Sequence, residues 1–81
     1  MKLSSTTREI IAAEVRAALA RDGRSAAALA REANISTAAL SRKLRGTTPF
    51  YVEELLAVAD ALGIDAGALI IPAVPRASHA A

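Results

Sequence analysis

Between Gly23 and Gly63 the chain is interrupted at close intervals by residues that stop or start helices. This punctuation constrains the fold more than any other feature. Gly23 follows Arg21 and Asp22 as a natural C-terminal stop, and Ser25 can cap the next helix. Asn34 can end that helix, because outside glycine it is among the residues most at ease with positive φ. Ser36 can then cap a third helix that Gly46 ends. Gly63 closes a fourth, and Asp65 can cap a short fifth. The pattern predicts helices near 6–22, 25–33, 36–45, 51–62 and 66–70, with no strand.

Each segment carries an apolar face. Thr6 and Glu9 have capping-box spacing at the start of the first helix, where Ile11, Val15, Ala18 and Leu19 share one side. Leu29, Ala30 and Ala33 lie on one side of the second helix, and Ile35 is expected to plug the core below the turn. Ala39, Leu40 and Leu44 point inward from the third. Val52, Leu55, Leu56, Ala59 and Leu62 form the expected buried stripe of the fourth. Composition agrees: alanine supplies 21 of 81 residues, and Phe50 and Tyr51 are the only aromatics. Alanine is the best helix former, whereas strands favour β-branched and aromatic residues. The fold class is therefore all-α, a compact bundle of about five short helices. Eighty-one residues make one domain at most. Residues 1–71 are expected to form it, and the Pro-, Ala- and Ser-containing residues 72–81 a flexible C-terminal tail.

Several function classes are excluded. Cysteine is absent, and His79 near the end is the only histidine. Thiolate zinc sites, cysteine nucleophiles and histidine triads cannot be built. Glu53 and Glu54 read as the solvated start of a helix, favoured there by its dipole, rather than as paired catalytic acids. No enzyme activity, metal, cofactor or small-molecule substrate is expected. Lys2 is followed by polar residues rather than an apolar signal core. The apolar run Ala66–Val74 is about half the ~20 residues a membrane span needs. A cytoplasmic protein without a membrane partner follows as the expectation.

Net charge is only +2, too small to argue for nucleic acid by itself. Its distribution says more. Residues 24–48 hold Arg24, Arg31, Arg42, Lys43 and Arg45 against Glu32 alone. Residues 49–71 hold Glu53, Glu54, Asp60 and Asp65 with no basic residue. One cationic face is expected.

Two short helices joined by a three-residue turn have helix-turn-helix geometry. Ala30 supplies the small residue that a steep crossing of helices 2 and 3 needs, Asn34 the turn and Ile35 its anchor. With Leu40 and Leu44 inward, Thr37, Ala38, Ser41, Arg42 and Arg45 remain outward. A major groove about 12 Å wide admits one such helix.

These residues resemble the lambda-repressor-like (Cro/CI-type) helix-turn-helix family. Ser25-Ala-Ala-Ala-Leu-Ala-Arg-Glu-Ala-Asn-Ile-Ser36 looks like its second helix and turn, and Leu40-Ser-Arg-Lys-Leu-Arg-Gly46 like its recognition-helix ending. Glu54-Leu-Leu-Ala-Val-Ala-Asp-Ala-Leu-Gly-Ile64 looks like its fourth helix. The resemblance implies a partner, double-stranded DNA, with base edges facing Thr37, Ala38, Ser41 and Arg42. It also implies phosphates near Ser25, Ala26, Arg45 and the following loop. Many members carry Gln where Ala26 stands and Ser where Tyr51 stands. Arg24, Lys43, Thr47, Thr48 and the Tyr51 phenol complete the candidate phosphate contacts. The expected role is a small phage-type or bacterial repressor that occludes a promoter. A protein-interaction module on the same fold (antitoxin or anti-repressor) and an architectural or excision factor are the other readings. Ile70, Ile71 and Val74 form a candidate self-association patch for a homodimer, or else close the small core.

Overall fold

The computed structural model describes residues 3–74. Five α-helices follow in order: α1 (Leu3–Asp22), α2 (Ala26–Ala33), α3 (Thr37–Leu44), α4 (Val52–Leu62) and α5 (Gly67–Ile70). A 3₁₀ turn, Ile71–Ala73, continues from α5. Among the described residues there is no strand.

Three helices end in the same way, and each ending was written in the sequence. Asn34 adopts φ 60 and ψ 43, and the Ile35 N–H donates to the Ala30 carbonyl at 2.9 Å. Gly63, at φ 69, lets Ile64 N–H reach the Ala59 carbonyl at 3.0 Å. Gly46, at φ 80, lets Thr47 N–H reach the Arg42 carbonyl at 3.1 Å. This six-to-one closure satisfies helix-end carbonyls, and it needs a residue that tolerates the left-handed conformation. The isoleucine that follows in two of the three turns folds back onto the core. At the opposite ends, the hydroxyls of Ser25 and Ser36 accept from Ala28 N–H at 3.0 Å and Ala39 N–H at 3.1 Å.

The core is small and built from few large side chains. Leu29, Leu40, Leu69, Val15 and Val58 are its largest fully buried side chains. Buried Ala12, Ala18, Ala30, Ala33 and Ala59 allow the helices to approach closely around them. Helix α2 packs on α3 and α4, while α1 lies across α3, α5 and the 3₁₀ turn. Phe50 is half-buried and rests against this cluster.

The structure corrects four expectations. Helix α1 begins at Leu3, so Thr6 lies inside it and does not cap it. The buried stripe of α4 is Leu55, Val58, Ala59 and Leu62, whereas Val52 and Leu56 are 65% and 55% exposed. Residues 52–59 are apolar apart from Glu53 and Glu54, so hydropathy alone could not choose the buried face. The expected tail does not begin at residue 72: Pro72 and Ala73 belong to the 3₁₀ turn, and Ala73 is buried. Residues 75–81, including His79, lie outside the described residues. Of the proposed self-association patch, Ile70 packs against the core while Ile71 and Val74 are exposed.

No single helix among the described residues is long and apolar enough to cross a membrane. Helix α4 and the Gly67–Ala73 segment reach that length only together, and they are bent by 119°.

Leu40 is the side chain by which α3 is seated, at 0% exposure. Leu40→Ala is expected to lower stability by about 2–5 kcal/mol, the range for large-to-small changes in a close-packed core. Denaturant unfolding of the two proteins checks this, and an unchanged midpoint would remove Leu40 from the core.

Candidate nucleic-acid interface

Helix α3 has only eight residues, too few to be stable alone. Its surroundings hold it at both ends. Ser36 caps its start, and Leu40 plugs its inner face. All four of its last carbonyls have partners. Arg45 N–H reaches Ser41, Gly46 N–H reaches Lys43, and Thr47 donates to Arg42 through both its N–H and its hydroxyl. The Leu44 carbonyl accepts from Arg16 Nη1 of α1. Two turns earlier on α1, Arg8 Nε donates to the Gly46 carbonyl at 2.9 Å. Cationic donors at a helix C-terminus also suit its dipole. Arg8 and Arg16 were not identified from sequence. Their partners lie 38 and 28 residues away, and no local pattern encodes that pairing.

The residues read as outward on α3 lie away from its core-facing side. Thr37, Ala38 and Arg42 are exposed, and Ser41 is half-buried. The Arg42 guanidinium has no hydrogen bond or ion pair among the described residues. Arg45, one turn beyond Ser41, donates from Nη1 to the Ser41 hydroxyl at 2.8 Å. The structure therefore brings all five residues onto one side of the helix and couples two of them.

The residues expected near phosphates divide into two groups. Ser25 is exposed at the N-terminus of α2, Ala26 opens that helix, Thr48 is half-buried in the loop, and Tyr51 is 63% exposed. Arg24, Lys43 and Thr47 are already engaged. Arg24 Nε pairs with Asp22 at 2.5 Å, and its Nη1 pairs with Glu32 at 2.5 Å. The Thr47 hydroxyl proton is committed to the Arg42 carbonyl at 2.9 Å, so in this state it is not available as a donor to phosphate.

Lys43 requires a correction. Its side chain is not a free surface cation: the residue is 8% exposed. Its ammonium donates to the Pro49 carbonyl at 3.1 Å and pairs with Glu54 at 3.3 Å. It also sits 5.0 Å from the centroid of the Tyr51 ring, within cation–π range. To reach a phosphate this ammonium would have to give up the Pro49 carbonyl and the partly exposed Glu54 carboxylate. Glu54 in turn accepts the Tyr51 N–H at 2.8 Å, which serves the start of α4 in place of the side-chain cap that tyrosine cannot supply.

Among the described residues there is no group of three His, Asp or Glu able to hold a metal. A model described as "Helix-turn-helix domain" matches residues 10–70, three quarters of the chain. The chain belongs to the helix-turn-helix family. A solved structure similar to it is that of the clp gene regulator ClgR from Corynebacterium glutamicum. The two share 31% identity at a TM-score of 0.78, over 91% of this chain and 77% of the other. No curated protein matches significantly. Within this helix-turn-helix chain, α2 and α3 are the two helices of the motif and residues 34–36 its turn.

The hydrogen bond and charge of Arg24 hold the Asp22 carboxyl below its ordinary value of 3.8, and Asp22 raises the Arg24 guanidinium in return. A depressed carboxylate contributes stability that is complete above the unfolded value and is lost as pH falls through the folded one. Comparison of thermal midpoints of the parent and Asp22→Asn is expected to show a small constant difference at neutral pH. That difference should close only below about pH 3.8 and shrink with added salt. A difference that closes near pH 6 would contradict the assignment.

Proposed function

We propose that this protein is a sequence-specific double-stranded DNA-binding transcription regulator that inserts α3 into the major groove. One observation carries the reading. The outward face of α3 offers to solvent Thr37, Ala38 and an Arg42 that is unpaired among the described residues, while its opposite face is locked into the core by Leu40. A rigid helix with free polar side chains on one side suits base readout. Arg42 pairs bidentately with guanine O6 and N7, and Ala38 meets a thymine methyl. Ser41 reads an adjacent edge, and Thr37 approaches from the N-terminal turn.

Phosphate contacts set the register. Arg45, the Ser25 hydroxyl, the Ala26 N–H, Thr48 and the Tyr51 phenol are the groups we assign to this task. Arg24 joins them by exchanging Asp22 and Glu32 for a phosphate. The likeness to a gene regulator supports a role in transcription. We assign repression by promoter occlusion, as in small phage-type or bacterial repressors, because occlusion asks nothing beyond tight binding. Exposed Ile71 and Val74 support a homodimer, which doubles the readout with half-sites ~34–36 Å apart. Light scattering of the free and DNA-bound protein tests the dimer independently of DNA binding.

Arg42 and Arg45 separate readout from positioning. Arg42→Ala is expected to cost about 1–3 kcal/mol on the best site and much less on random DNA. Arg45→Ala should weaken both duplexes alike and lower the salt slope by about 1. The measurement is titration of each variant with a selected and a random duplex over a range of salt. Equal losses for Arg42→Ala on both duplexes would remove its base-reading role. If neither variant loses affinity, this face serves protein contact instead.

A further inference from the structure

The loop between α3 and α4 is pinned at three points, and Lys43 holds the middle one. Thr47 is fastened to the Arg42 carbonyl by its N–H and hydroxyl, at 3.1 and 2.9 Å. The Pro49 carbonyl is fastened to Lys43 Nζ at 3.1 Å. The Tyr51 N–H is fastened to Glu54, the same carboxylate that pairs with Lys43. Thr48 is thus suspended between two anchors, and the Tyr51 ring lies over the ammonium. Burying an ammonium is costly unless its protons find acceptors, and here a carbonyl, a carboxylate and an aromatic face supply them. A core-filling role alone would be met as well by an apolar residue of the same length. The charge matters because it joins three separate segments, namely the C-terminal turn of α3, the loop and the first turn of α4.

We propose that Lys43 is a positioning residue for DNA binding. From inside the protein it fixes the 46–51 loop in the register on α3 at which Thr48 and Tyr51 meet the sugar-phosphate backbone. The inference rests on the DNA-binding reading above and assigns Lys43 no contact with DNA. Glu54 acts with it, so an acidic residue in the first turn of α4 aids binding rather than opposing it.

The test uses the full chain and its Lys43→Met and Glu54→Gln variants, each titrated with a selected and a random duplex over a range of salt. Hydrogen exchange of the amides of residues 47–51 reports the loop, and thermal unfolding reports the fold. Both variants are expected to keep the helical fold while the loop amides exchange faster. Affinity for both duplexes should fall roughly 3- to 10-fold, the worth of about one hydrogen bond. The selected sequence and the salt slope should stay as in the parent, since no phosphate-neutralising charge is lost. A salt slope lowered by about 1 in Lys43→Met, together with tighter binding by Glu54→Gln, would mean that the lysine reaches phosphate directly and would overturn the proposal. Parent-like affinity in both variants despite a loosened loop would overturn it equally. If Lys43→Met does not fold, Glu54→Gln decides by the same readouts, because its amide oxygen still accepts the Tyr51 N–H while its charge is gone. Failure of the parent chain to bind either duplex is a separate outcome: it refutes the DNA-binding reading and this inference with it.

Discussion

An eight-residue helix that presents side chains to a partner must borrow its rigidity, and most of this structure lends rigidity to α3. Helix nucleation is costly and two turns return few hydrogen bonds, so α3 exists because its neighbours complete it. Leu40 seats one face. Ser36 closes the start, and Arg16 together with the 45–47 turn closes the carbonyls at the end. Helix α1, the longest at 20 residues, spends two arginines on the end of α3 and the turn after it, beyond packing its own apolar side.

The positive charges of the middle segment consequently have different duties, which their shared sign conceals. Arg42 is exposed and unpaired among the described residues. Arg45 leans on Ser41, Arg24 is balanced by two carboxylates, and Lys43 is internal. Five basic residues between 24 and 48 therefore do not make five equivalent phosphate ligands. The cationic character of the face is weaker than the sequence count suggests.

Helix ends were legible in the sequence wherever one side chain determines them. Asn34, Gly46 and Gly63 each hold the left-handed residue of a turn, and Ser25 and Ser36 are caps. The beginning of α1 was not legible, because Ser4, Ser5, Thr6 and Thr7 offer equivalent caps and the helix extends past them. The buried face of α4 was misread for a related reason: with Val52, Leu56 and Val58 all apolar, only packing against α2 decides which is covered. In the site, the outward set Thr37, Ala38 and Arg42 followed from helical periodicity about Leu40. The interior place of Lys43 did not, since it depends on the Pro49 carbonyl and on Glu54 in the next helix. Partners that meet only after the chain has turned back leave no periodic trace.

The division of α3 into an anchored side and a free side has an evolutionary consequence. Thr37, Ala38 and Arg42 are exposed, and among the described residues their side chains carry no fold-stabilising hydrogen bond or ion pair. Exposed substitutions away from such features usually alter stability by no more than about 0.5 kcal/mol. Lineages can exchange these residues one at a time without crossing a folding threshold, so the chemistry of this face can drift while the scaffold stays intact. Leu40 and Lys43, on the same eight residues, are tied into the interior and lack that freedom from partners.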